Sequence, residues 1–244
     1  MKVVKRCLFP VLSIALFLGG CVIAGPLVPI PRDLEEQSTA MTVERTRTLF
    51  AEPLQFGEWT VTAFKQDKLP NRSKTSHGSD RLRHTKSRGS AAYHFTMTGN
   101  DRAAWECRCD VKRNARGVEI GPPDNRRSVD LEHQESLECD LQRAANEPVW
   151  KLRVTGSLAM GEEGYEGTLS DGSRSISLYA SHEIRNVGRL PGPPIGYVFV
   201  RDGEDIASAE LLYPGAVRIG NDASNDRDLI ATAAAALLLQ PAVH

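Results

Sequence analysis

The amino-acid sequence predicts a mainly β protein, an antiparallel sheet of about ten to twelve strands, closed or strongly curved into a barrel around a buried apolar C-terminal helix. Three observations lead there. Apolar and polar residues alternate in many short segments, most clearly where Trp105, Cys107, Cys109 and Val111 interleave with Glu106, Arg108, Asp110 and Lys112. The segments are separated by turn-forming stretches such as Asp171-Gly172, Asp202-Gly203 and Pro214-Gly215, whereas parallel crossovers need about a dozen residues or more. Finally, Leu229 to Leu239 is apolar except for Thr232. A helix apolar on every side has to be surrounded by protein, and a sheet surrounds it only by curling or closing.

The strands follow in order. Trp59, Val61 and Ala63 share one side of a segment whose other side carries Thr60 and Thr62, and Tyr93, Phe95 and Met97 alternate with His94, Thr96 and Thr98. The Trp105 strand is answered by Leu137, Cys139 and Leu141; Trp150, Leu152 and Val154 form the next, and Ile176, Leu178 and Ala180 another. Tyr197 to Val200, Ile206 to Leu212 and Ala216 to Ile219 complete the series. A helix is expected over 226–240, with Asn225 as N-cap and Asp226 and Asp228 in the first turn, where the helix dipole favours negative charge. Its apolar run spans only about 16 Å, too short to cross a bilayer. This layout resembles the tubby, LURP-one and scramblase group, in which a barrel of about twelve strands encloses such a helix. The resemblance is architectural, covers roughly residues 45–240, implies lipid or phosphoinositide binding only by analogy, and assigns no residue.

The N-terminus sets the expected compartment. Lys2, Lys5 and Arg6 make a basic region, Cys7 to Leu18 an apolar run interrupted by Pro10 and Ser13, and Leu18-Gly19-Gly20-Cys21 follows. In this order and spacing the segment resembles the lipoprotein signal peptide of bacteria, its lipobox ending at Cys21. The resemblance implies cleavage of residues 1–20, acylation of the Cys21 thiol and a membrane anchor through the N-terminal lipid. Val22 in place of Asp implies sorting to the outer membrane if the host is Gram-negative. Residues 21–42, with Pro26, Pro29 and Pro31, are expected to form the lipidated N-terminus and a tether, and 43–244 a single β-rich domain.

Composition excludes some classes. The 244 residues hold 30 Lys+Arg and 31 Asp+Glu, with 41 % hydrophobic and 25 % charged residues, as in ordinary globular chains. Loss of residues 1–20 removes three basic groups and leaves a net charge of −4, which argues against nucleic acid as a partner. The acidic excess is uneven. Lys65 to Arg88 contains Lys65, Lys68, Arg72, Lys74, Arg81, Arg83, Lys86 and Arg88 against Asp67 and Asp80. With its serines and glycines it is expected to be a solvated loop, 65–88, that either binds nothing in particular or meets membrane head groups, an anionic envelope component or an acidic protein surface through Lys68, Arg72, Lys74, Arg81, Arg83, Lys86 and Arg88. No aromatic is interleaved to stack bases.

With Cys7 in the signal peptide and Cys21 as anchor, three cysteines remain. An oxidising compartment favours one disulfide, Cys139 with either Cys107 or Cys109, and one leftover thiol. The alternatives are three buried free thiols and a three-cysteine metal site with His133, but Cys-x-Cys in mid-strand departs from the usual zinc spacing, so no metal and no cofactor is expected. Catalytic motifs are likewise missing. Gly156-Ser157-Leu158-Ala159-Met160 lacks the second glycine of a nucleophile elbow. In His182-Glu183-Ile184-Arg185-Asn186 the last residue replaces the second histidine of a zinc-peptidase helix. Asn221, Asp222, Asn225, Asp226 and Asp228 lack the glycine and terminal glutamate of an EF-hand loop. The expected function is therefore a non-enzymatic binding or structural module of the envelope, with no catalytic residue named. The alternative is an envelope hydrolase whose site is assembled from loops.

Overall fold

The computed structural model describes residues 27–45, 54–66, 71–79, 81–99, 103–122, 124–159, 162–190 and 192–241. After helix α1 (Arg32–Gln37) come the short strands β1 (Met41–Thr42), β2 (Glu44–Arg45) and β3 (Leu54–Phe56), then β4 (Trp59–Gln66) and β5 (Asn71–Gly78). Three strands of 16 or 17 residues follow, β6 (Leu82–Thr98), β7 (Ala104–Ile120) and β8 (Arg127–Gln142). Next are β9 (Trp150–Ala159), β10 (Glu162–Ser170), β11 (Ser175–Ser181) and a small separate hairpin, β12 (Glu183–Ile184) with β13 (Gly188–Arg189). The chain ends with β14 (Gly196–Arg201), β15 (Glu204–Glu210), β16 (Ala216–Ile219), a 3-10 turn (Asn221–Asp226) and helix α2 (Arg227–Leu239).

Fourteen strands make one antiparallel sheet, in the order β1-β16-β15-β14-β11-β10-β9-β8-β7-β6-β4-β3-β2, with β5 also paired to β6. The two ends of this path are neighbours in the chain. Met41 and Thr42 pair with β16, Glu44 and Arg45 with β3, and between them the Val43 amide donates to the Gly215 carbonyl at 3.0 Å. One five-residue segment thus lies on both seams and nearly closes the sheet into a barrel, so few edge groups are left unpaired.

The alternation read from the sequence becomes an inside and an outside. Tyr93, Phe95, Met97, Cys107, Cys109, Val111, Leu137, Leu141 and Leu152 are buried in the barrel, while their strand neighbours Glu106, Arg108, Asp110 and Glu138 are exposed. Helix α2 fills the lumen, and Ile230, Ala231 and Ala233 to Ala236 are completely buried. The alanines make the helix narrow enough to sit among Trp59, Tyr93, Phe95 and Phe199, and alanine is also the best helix former. Polar groups at its ends are satisfied by the wall. Trp59 Nε1 donates to Asp228 Oδ1 at 2.8 Å, the Tyr93 hydroxyl to the Ala236 carbonyl at 2.7 Å, and Arg45 Nη2 to the Leu238 carbonyl at 3.1 Å.

Three expectations need correction. The helix begins one residue later than expected, after a 3-10 turn that includes Asn225, and Asp226 occupies the N-cap without a capping side-chain bond. The Asp226 carboxylate is held instead by Arg201 at 2.7 Å and Arg174 at 3.4 Å. Residues 27–42 are not a free tether. Leu34 and Val28 are buried, Glu210 accepts from the Leu27 amide at 3.2 Å, and Arg218 donates to the Ser38 carbonyl at 3.0 Å, so this segment straps the outside of β14–β16. Nor are the described residues of 65–88 mainly loop. They include the end of β4, all of β5 and the start of β6, with β5 laddered to β6 from Asn71↔Ser90 to Gly78↔Arg83. Cys21, the signal peptide expected over residues 1–20, and Lys68 lie outside the described residues.

Candidate functional site

β6, β7 and β8 are longer than their barrel neighbours, and together with β5 they continue past the barrel as a sheet extension. Residues 71–90 and 112–136 supply it with eleven Lys and Arg against six Asp and Glu. Strand alternation divides those charges between two faces. On the face continuous with the barrel interior lie Lys74, Arg83, Arg113 and Glu119. Lys74 Nζ is 2.6 Å from Glu119 Oε1, and Arg83 stands opposite Glu119 in the ladder. The hydrogen bond from Lys74 and the charges of Lys74, Arg126 and Arg83 lower the Glu119 pKa. With Glu135 standing opposite Arg113, this face is partly compensated.

The outer face is not. Lys86 stands directly opposite Arg116, Arg88 opposite Asn114, and Ser90 opposite Lys112, and all four cations are exposed. Arg116 reaches Glu132 at 3.6 Å, but among the described residues no carboxylate pairs with Lys86, Arg88 or Lys112. Like charges directly opposite on adjacent strands destabilise a sheet by roughly 0.2–1 kcal/mol. Of the anion-contact residues expected from the sequence, Lys86 and Arg88 therefore lie on the outer face, and Lys74 and Arg83 on the partly compensated one. Arg81 precedes β6, its carbonyl bound by the Gly121 amide at 3.0 Å, and Arg72 is placed in β5 by its backbone. Lys112 and Arg116 were missed because they are distant in sequence from the basic segment.

Beside the cations the outer face forms an open groove of about 700 Å³. Two rows of paired residues line it. Lys112, Ser136, Thr155, Glu166 and Tyr179 are successive partners across β7 to β11, and Asn114, Gln134, Ser157 and Gly164 form the adjacent row. With strands about 4.8 Å apart, the first row runs about 19 Å from Lys112 to Tyr179, whose side chain is 57 % exposed. Glu135, Gly156 and Tyr165 complete the lining, whose amides and hydroxyls both donate and accept hydrogen bonds.

Two other clusters are chemically notable. Cys109 and Cys139 face each other across β7 and β8 and form the disulfide, with Cα atoms 4.1 Å apart, while Cys107, opposite Leu141, is the leftover buried thiol. The three sulfurs lie within 4.8 Å of one another, but the disulfide takes two of them out of thiolate chemistry. Burial, with a smaller contribution from Asp140, holds the Cys107 pKa far above the usual thiol range, so it is not a nucleophile. At one end of the barrel His133 Nε2 lies 3.3 Å from Glu135 Oε2, and Gln240 donates to Glu135 Oε1. His133 Nε2 is buried and makes no hydrogen bond among the described residues. His182 precedes the β12–β13 hairpin and is on no helix.

No protein-family model matches the chain, and comparisons with curated proteins and with solved structures give no match.

Proposed function

We propose that the protein is a lipid-anchored envelope lipoprotein whose barrel is a binding module rather than an enzyme, presenting a basic outer sheet face to an anionic partner. The observation that carries the binding reading is the placement of Lys86 opposite Arg116, with Arg88 and Lys112 beside them. A sheet that spends stability on adjacent like charges is explained by an anion that bridges them. The lumen is occupied by α2, which leaves the outer surface for recognition.

The anchor reading rests on Leu18-Gly19-Gly20-Cys21. Cys21 lies six residues before Leu27, where the strap on β14–β16 begins, a reach of at most about 22 Å. An acylated Cys21 would therefore hold the barrel close to the bilayer. Intact mass of the protein extracted from membranes tests this. A mass of residues 21–244 plus acyl chains is expected, and an uncleaved or unacylated chain would overturn the anchor. For the anionic contact, binding of the full chain to an anionic polymer should weaken steeply with salt. Binding insensitive to salt would overturn it.

A further inference from the structure

The anionic contact and the groove beside it share one face. Arg88 stands in the row that continues as Asn114, Gln134, Ser157 and Gly164, and Lys112 heads the row that ends at Tyr179. Charge and hydrogen-bonding groups are thus arranged in register along a single path, cations at one end and an exposed aromatic ring at the other.

We infer that this groove binds an acidic polysaccharide chain laid across β6 to β11. The inference rests on the anionic-partner reading above and names its chemistry. Lys86, Arg88, Lys112 and Arg116 would take the carboxylates or phosphates of the chain by charge-assisted hydrogen bonds. A polyol offers alternating donors and acceptors, and the side chains of Asn114, Gln134, Ser136, Thr155 and Ser157 supply both kinds. Glu166, an acceptor only, suits a sugar hydroxyl. It also repels a second anionic group at that end, which sets the polarity of the charge along the groove. Gly164 leaves the floor without a side chain, and Tyr179 presents an apolar ring face with a polar tip, a surface against which a sugar ring packs.

The same composition argues against an acidic protein as occupant. The centre of a protein interface is apolar and rich in aromatic residues, whereas the exposed or half-buried side chains along the middle of this groove include Gln134, Thr155 and Ser157; of its two aromatics, Tyr165 is buried and Tyr179 is exposed at the margin. A shape-reading lumen is also unnecessary, since an extended polymer needs length, and the groove gives about 19 Å across five strands.

The test uses the full chain in detergent and three probes, an oligouronate, poly-aspartate and neutral dextran, measured by calorimetry at two salt concentrations. Variants are Lys86→Glu with Arg88→Glu, and separately Gln134→Ala and Tyr179→Ala. These are exposed positions, and unchanged thermal melting would establish that they fold. The oligouronate should bind more tightly than poly-aspartate or dextran. Gln134→Ala and Tyr179→Ala should each weaken it roughly tenfold while leaving poly-aspartate binding unchanged, and the double charge reversal should abolish both. Equal binding of oligouronate and poly-aspartate, with no effect of Gln134→Ala or Tyr179→Ala, would overturn the polysaccharide inference and leave a simple electrostatic contact. Failure of both anionic probes to bind would overturn the anionic-partner reading as well.

Discussion

Tyr93 and Ala236 are joined by a hydrogen bond of 2.7 Å from the phenol to the backbone carbonyl, between a barrel strand and the last turn of the enclosed helix. Both residues are buried, and burial raises the Tyr93 pKa well above the phenol range, so the group stays a neutral donor. The bond fixes the depth of α2 in the lumen. Tyr93→Phe keeps the ring packing and removes this bond, so urea unfolding should show a loss of about 1–2 kcal/mol. An unchanged midpoint would mean that the helix is positioned by packing alone.

Ala234 is completely buried on all sides of its helix. Ala234→Asp should abolish folding, because an unpaired carboxylate there costs several kcal/mol against a stability of about 5–15 kcal/mol. A soluble variant that melts cooperatively would refute the enclosed helix.

Excision of residues 70–88 discriminates between a loop and a paired hairpin. The segment includes β5 and the part of β6 that pairs with Asn114 to Ile120. Its removal should lower the melting temperature by about 4 °C or more, since it exposes an edge of β7 and deletes the Lys74–Glu119 pair. A melting temperature equal to that of the intact chain would mean that the extension adds nothing to stability.

Glu210 gives the strap a pH dependence. Burial raises its pKa, opposed by the amides of Leu27 and Val28 and the charge of Arg218. A raised folded-state pKa means that the folded protein holds the proton more tightly than the unfolded chain. This contribution is present below the usual carboxylate range and is lost as pH rises through it. The stability of the native protein minus that of Glu210→Gln should therefore fall as pH rises from the usual carboxylate range through the raised pKa of the folded state. A difference that is flat, or that rises, would contradict the assigned cause.

The disulfide predicts a mass and a stability change. Reduction under denaturing conditions should add two hydrogens to the native chain and to Cys107→Ala, but none to Cys139→Ala if Cys107 and Cys109 stay thiols. With a sequence separation of 30 between the linked positions, loss of the bond should cost about 3–4 kcal/mol by loop-closure entropy. A mass increase that disappears in Cys107→Ala would show the other pairing.

Much of the barrel was legible because each wall strand faces apolar contents on one side and water on the other. Trp105 to Lys112 shows that asymmetry in eight residues. β5 and the outer half of β6 read as loop because Arg72 to Arg88 puts polar side chains or glycine on both faces and has no apolar period to reveal a strand. The strap was misread for a related reason. Three prolines and a charged run suggest a spacer, while its attachment depends on Glu210 and Arg218, some 180 residues away. Of the groove, Lys112, Ser136, Thr155, Glu166 and Tyr179 are single polar residues on five strands, and nothing local marks them as neighbours.

By itself the sequence determined that the chain is an antiparallel β structure around an apolar C-terminal helix, that Cys139 has two candidate partners, and that positive charge is concentrated in one region. These follow from period, composition and the cost of exposing apolar surface, all of which act on short stretches of chain. Only the tertiary structure decided that Cys109 rather than Cys107 faces Cys139, that Lys86 faces Arg116, and that residues 41–45 lie on both seams of the barrel. Those are matters of register, set jointly by two strands and the turn between them. A period-two pattern fixes which face a side chain takes and leaves open which residue it will meet.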